Sequence, residues 1–262
     1  MEEAGALHAS GEEVSFGIPV VAYRGGSCEM LEMENETCVG LMEIEEIINS
    51  VFTSKTYILP VGDSNECWLV DCGDVDKVLD MGWKVRGVLL THVHFDHIYG
   101  LNRLLEREPS TLIYTNAEGK EALQNPRWNF SRYHTDVPDF VLERMENVRV
   151  IEGEGRISLL SSTGGSDLAV ESVGERSRTT PCFLKDVEAL FTPGHEPSCV
   201  SYRLEDKLFT GDCYIPGVKV VTTFPRSNKQ QAAESLARLQ ELERSGLKIM
   251  PGHWIENNEK DK

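Results

Sequence analysis

Residues 91–97 read Thr91-His92-Val93-His94-Phe95-Asp96-His97, and this stretch decides the fold class as well as the chemistry. Four side chains able to ligate a metal lie between positions 92 and 97, directly after the run KVRGVLL (84–90), which has the composition of a buried strand. Imidazole nitrogens and carboxylate oxygens bind zinc-like ions at roughly 2.0–2.2 Å, and each ion needs three or four converging donors. Side chains two apart on an extended segment share a face, so His92 and His94 can address one ion while Asp96 and His97 turn toward a second. A lone histidine is more often a satisfied core or surface group. Four donors in one loop would need several buried charges paired elsewhere to be anything but a metal site.

Three further donors follow downstream. His195 ends TPGH (192–195), Asp212 ends TGD (210–212) and His253 ends PGH (251–253), each just after an apolar run and each preceded by a glycine that permits close backbone approach. Five of the 7 histidines are thereby used. TYILPVGDSNECWLVDCGD (56–74) reads as two strands around a turn, and TLIYTN (111–116) as another; Ile98, Leu101, Leu104 and Leu105 fall at helical spacing. A short helix is expected over Glu43 to Val51, and short strands with surface loops over 153–180. Ser227 with Gln230 forms a capping-box signal for a helix carrying Leu236, Leu239 and Leu242, closed by Gly246. Strands followed by isolated helices predict an α/β layered sandwich more than an alternating doubly wound sheet.

The whole sequence has 262 residues, 40% hydrophobic, enough for one large domain. A formal net charge of -17 argues against capture of a phosphate backbone, so the expected partner is a small-molecule substrate and not a nucleic acid. No apolar run approaches the roughly 20 residues of a membrane helix, and no membrane partner is expected. Cys28, Cys38, Cys67, Cys72, Cys182, Cys199 and Cys213 have no paired spacing and read as reduced thiols. The acidic start lacks the basic and apolar regions of a signal peptide, which predicts a cytoplasmic protein. Nothing in the sequence sets the oligomeric state.

The HxHxDH stretch with His195, Asp212 and His253 resembles the metallo-β-lactamase-fold hydrolases, in pattern the glyoxalase II-like branch, from about Thr53 to Trp254. The resemblance implies a four-layer αββα sandwich over 51–262, with residues 1–50 as an N-terminal extension. It also implies two divalent metal ions, zinc first, with iron or manganese suited to the same donors. His92, His94 and His195 would hold one ion, Asp96, His97 and His253 the other, and Asp212 would bridge both; Asp96 and Asp212 are the candidate catalytic carboxylates. Asp71 matches an aspartate that buttresses the ligand loop, although a strand-end Asp capping a turn gives the same sequence.

Asn125-Pro126-Arg127-Trp128-Asn129-Phe130-Ser131 resembles the branch's DPxxNxS stretch, with Asn125 in place of Asp. Two features depart from it: Ile215-Pro216-Gly217-Val218-Lys219 replaces the Gly-Cys-Gly-Lys/Arg run, and the basic C-terminal glutathione-binding helices are lacking. Asp212 and the cytoplasmic expectation disfavour β-lactam hydrolysis, and the acidic balance disfavours RNA processing. The expected activity is hydrolysis of an ester, thioester or lactone by a metal-bridging hydroxide. The alternatives are a mononuclear iron persulfide dioxygenase using His92, His195 and Asp212, a small-molecule phosphodiesterase, and a non-catalytic zinc protein. Tyr214 and Lys219 are candidate substrate contacts and Cys213 a packing thiol. Trp128, Arg132, Tyr133 and His134 line a pocket or cover the sheet, and His8 is expected to be solvent exposed.

Overall fold

The apolar runs become the strands of two sheets. In the computed structural model, which describes residues 44–62, 64–159 and 186–254, the first sheet contains β1 (Glu45–Ile48), β2 (Lys55–Pro60), β3 (Glu66–Val70), β4 (Lys84–Leu89), β5 (Leu112–Thr115) and β6 (Val148–Val150), side by side in chain order. β1, β2 and β3 pair antiparallel, and β3 through β6 pair parallel. The second sheet has the order β11-β10-β9-β8-β7, formed by β7 (Gly155–Ser158), β8 (Asp186–Phe191), β9 (Val200–Leu204), β10 (Lys207–Gly211) and β11 (Lys248–Pro251). Only its β10–β11 pair is parallel.

Buried side chains show how the layers stack. Tyr57, Trp68, Leu89 and Tyr114 from the first sheet meet Val187, Tyr202, Phe209 and Met250 from the second in a core between the sheets. The outer face of the first sheet, through Ile58, Leu69 and Val88, packs on α1 (Val75–Asp80), on α2 (Phe95–Ile98), which the ligand loop itself begins, and on α3 (Leu101–Arg107) and α4 (Ala117–Ala122). The outer face of the second sheet, through Leu190, Cys199 and Leu208, packs on α5 (Lys229–Arg244) with its Leu236–Leu239–Leu242 stripe. This is the four-layer αββα sandwich. The parallel strands are covered on both faces, which is why β3 and β4 read as nearly continuous apolar runs.

Three local expectations change. Glu45–Ile48 is an edge strand and not part of a helix: Glu45 to Ile48 pair with Ile58 to Lys55, and Ile47 is buried. Pairing to a neighbouring strand outweighs the helix preference of its glutamates. The strand brings the end of the expected 1–50 extension into the sheet, while residues 1–43 and His8 lie outside the described residues. The cap of α5 is Asn228, whose side chain accepts from the backbone N–H of Gln230 and Gln231, because the Ser227 hydroxyl donates to the His195 carbonyl at 2.6 Å instead. The 153–180 stretch supplies β7, and its remainder from 160 lies outside the described residues. No helix among the described residues is long and apolar enough to cross a membrane.

Candidate metal centre

All seven predicted donors converge at one edge of the sandwich. The loop after β4 carries His92, His94, Asp96 and His97; the turns after β8, β10 and β11 carry His195, Asp212 and His253. His195 Nε2 lies 3.1 Å from His94 Nδ1, and His92 completes this group. On the other side Asp96 Oδ2, His97 Nε2 and His253 Nε2 lie 3.3–3.4 Å apart. The Asp212 carboxylate stands between: Oδ1 is 3.3 Å from His253 Nε2 and 3.5 Å from His97 Nε2, while Oδ2 is 3.7 Å from His195 Nε2. Donors about 2.1 Å from a tetrahedral ion lie about 3.4 Å from each other. The observed spacings fit that geometry, and His92 Nε2, fully buried without a hydrogen-bond partner, is an orphan that a cation would satisfy.

Hydrogen bonds fix the ring tautomers. His97 Nδ1 donates to Asp71 Oδ2 at 2.9 Å, His195 Nδ1 to the Val221 carbonyl at 2.8 Å and His253 Nδ1 to the Phe52 carbonyl at 2.9 Å. Thr91 Oγ1 donates to Asp71 Oδ2 at 2.7 Å, which leaves its lone pair facing His92 Nδ1 at 3.2 Å. In all four rings Nδ1 carries a proton and Nε2 is turned toward the cluster, the orientation of metal-bound histidines. Asp71 is the hub: its other oxygen accepts the Thr91 N–H at 2.7 Å, and its backbone is held at φ 59. Whether it buttresses the loop or caps a turn is thus decided for the buttress.

Burial, and then neighbouring imidazoles, hold His92 and His94 well below the usual imidazole range, so both are neutral. Burial pushes the Asp96 carboxyl up. Burial also opposes charge on His97, His253 and Asp212, but attraction between these imidazoles and carboxylates outweighs it: His97 and His253 are raised, and Asp212 is held well below the carboxylate range. Protons on the second group thus balance the carboxylates, and metal entry must displace them.

Two glycines let the strands approach. Gly211 has φ 50, and a Cβ there would meet Thr91 Oγ1 at 2.4 Å; a Cβ on Gly252 would meet Asp212 Oδ1 at 2.6 Å. Phe130, also left-handed at φ 65, is presented by Asn129, whose buried amide donates to the Ala122 and Phe140 carbonyls. Its ring packs edge-on to His94 at 4.7 Å, and Phe224 packs on both at 4.7–5.2 Å.

Lys219 lines a cavity that opens on His195 and Asp212. Tyr214 is not brought to the cluster: its hydroxyl donates to Glu243 on α5 at 2.6 Å and its ring packs by Leu239, so the substrate contact expected of it is corrected to a helix-docking contact. Cys213 is buried, with its thiol on the Thr192 carbonyl at 3.1 Å. His134 packs between Phe52 and Phe95, Arg132 pairs with Asp139, and Tyr133 is exposed beside Phe130. Sequence reasoning missed Phe52, Glu196, Phe224 and Arg226. Arg226 sits 4.4 Å over the Trp128 ring and 3.0 Å from the fully buried Glu196 carboxylate. Trp128 and Arg226 are too far apart in the chain for any spacing rule to join them.

The profile of the Metallo-beta-lactamase superfamily matches residues 57–253, every donor included. The chain belongs to the metallo-beta-lactamase superfamily. Within that superfamily it is similar to a hydroxyacylglutathione hydrolase of Klebsiella pneumoniae, 27% identical over 167 residues, covering 62% of this chain and 48% of the relative. The chain therefore spans about half the length of that curated relative. Among solved structures, the BLEG-1 B3 metallo-beta-lactamase superposes with a TM-score of 0.61 at 20% identity, covering 81% of this chain and 92% of that one. ETHE1 from Myxococcus xanthus gives 0.52 at 21% identity, with coverages of 82% and 77%. At such identities these superfamily structures establish the shared fold alone.

Proposed function

We propose that this chain is a dinuclear metal-dependent hydrolase of an ester, thioester or lactone. The observation that carries the proposal is the placement of Asp212, with one carboxylate oxygen toward His195 and the other toward His97 and His253. His92, His94 and His195 would hold one ion and Asp96, His97 and His253 a second, with the Asp212 carboxylate between the two groups. Zinc is the first choice, and iron or manganese suit the same donors. Two such ions supply a nucleophilic hydroxide at neutral pH and polarise a carbonyl.

The protein residues orient and protect this chemistry. Asp71 fixes His97 and, through Thr91, His92, so that their Nε2 atoms face inward. Phe130 and Phe224 shield His94 from water. Asp96, buried beside His97 and His253, orients or passes a proton. Lys219 stands in the adjoining cavity as a substrate contact. In the net reaction water oxygen joins the acyl carbon, the carbon–sulfur or carbon–oxygen bond breaks, and the departing thiol or alcohol takes a proton. The name of the Klebsiella relative supports the thioester among these substrates.

Metal content of freshly purified protein, measured with turnover of thioesters, lactones and phosphodiesters, tests the proposal. Two ions per chain with thioester or lactone turnover are expected, and His94→Ala or Asp212→Ala should lose metal and reduce turnover to background. One iron per chain, oxygen consumption and no hydrolysis would replace the proposal with the iron oxidoreductase, and phosphodiester turnover alone would replace it with the phosphodiesterase.

A further inference from the structure

The segment between β10 and α5 forms no helix or strand over 212–228, an unusual length for a connection in a compact domain and one characteristic of substrate-binding loops. It is tied down along its length. Thr210 Oγ1 donates to the Tyr214 carbonyl at 2.6 Å, His195 Nδ1 to the Val221 carbonyl at 2.8 Å, and Ser227 Oγ to the His195 carbonyl at 2.6 Å, while Arg226 pairs with Glu196. Between these ties a cavity opens on His195 and Asp212, with Ile215, Val218, Val220 and Val221 as its aliphatic walls. Val218 and Val221 are 43% and 44% exposed, so apolar side chains face solvent beside a polar cluster. Lys219, an exposed residue, also lines the cavity. The nearby Arg226 is already neutralised by Glu196 and stacked on Trp128. The enclosed part of the cavity measures about 30 Å³, and the rest of the apolar lining stands open at its mouth.

We propose that the acyl half of the substrate is apolar, a branched-aliphatic or aryl acyl group, and that it packs on the open rim formed by Ile215, Val218, Val220 and Val221 beside His195. This rests on the hydrolase reading above. The cavity opens on His195 and Asp212, so a substituent of an acyl carbon held at these donors would reach its apolar rim. Binding there gains from removal of apolar surface from water, about three- to fourfold for each buried methylene. A carboxylate at the acyl end would lose hydration against these aliphatic side chains.

The test uses the metal-loaded protein and a thioester series with one leaving group and acetyl, isovaleryl, benzoyl and succinyl acyl groups. In parallel, calorimetry measures binding of the matching non-hydrolysable ketones. From acetyl to isovaleryl or benzoyl, kcat/KM should rise about 10- to 100-fold, with succinyl near or below acetyl, and ketone affinity should follow the same order. Val218→Asp, at an exposed position, should erase the preference in both measurements and leave metal content unchanged, whereas Lys219→Met should keep it. Equal turnover and equal ketone affinity across the series, or a preference for succinyl abolished by Lys219→Met, would overturn the inference. If no thioester is turned over yet ketone binding remains selective and sensitive to Val218→Asp, the hydrolase reading falls and the apolar subsite stands; absence of both selectivities removes the subsite itself.

Discussion

Asp71 shows how much a single residue outside the donor set can decide. It accepts from the Thr91 amide, the Thr91 hydroxyl and His97 Nδ1, and it is 2% exposed, so both of its oxygens are spent on orienting the ligand loop. Asp71→Asn leaves shape and volume but presents an amide N–H to a ring that needs an acceptor. Partners of this kind are worth 10- to 100-fold in metal affinity or activity. The expected outcome is a loss of that size in a competitive chelator titration, with secondary structure unchanged by circular dichroism. Affinity equal to that of the native protein would show that the loop holds the tautomers without Asp71.

At the scale of elements, Asp74 joins three pieces that the sequence separates. Its carboxylate accepts from the Ser50 amide and hydroxyl in the β1–β2 turn and from the Tyr99 hydroxyl just past α2, and it pairs with Lys77 in α1. Partial burial opposes its charge, but Lys77, Tyr99 and Ser50 outweigh burial and lower its pKa from 3.8 to about 2. A carboxylate depressed on folding contributes stability that is fully present above the unfolded pKa and is lost as pH falls through the folded value. Allowing for solvent screening, the contribution is about 1–2 kcal/mol. Asp74→Asn should lower stability by that amount at pH 7, with the difference from the native protein shrinking between about pH 4 and pH 2 in urea titrations. A pH-independent difference would assign the effect to packing.

Across the whole molecule, the donors come from both sheets: the β4 loop belongs to the first, and the β8, β10 and β11 turns to the second. Ions held there would cross-link the two halves of the sandwich. A ligand at 1,000 times its Kd stabilises by about 4 kcal/mol, and about 2–4 °C of Tm follow each kcal/mol in a domain of this size. Chelation is therefore expected to lower Tm by about 8–16 °C, with recovery on adding zinc, and Asp212→Ala should make Tm indifferent to chelator. A native Tm unmoved by chelation would mean that the cluster is held by protein contacts alone.

The sequence by itself determined the donor set, the sandwich class and the strands leading to each donor. Four ligands crowded into 92–97 and three more, each at the end of an apolar run, are local patterns, and local patterns survive in a linear reading. The same linear reading placed a helix over β1 and a cap on Ser227, because sheet pairing and the pull of the His195 carbonyl come from residues distant in the chain. Tertiary structure alone decided that Asp212 divides its oxygens between two groups, that Tyr214 turns to Glu243, and that Glu196, Arg226 and Trp128 form one stack. Each of these depends on which backbone segments are brought within about 3–5 Å of one another, and that is fixed only when the apolar faces of two sheets are buried against each other.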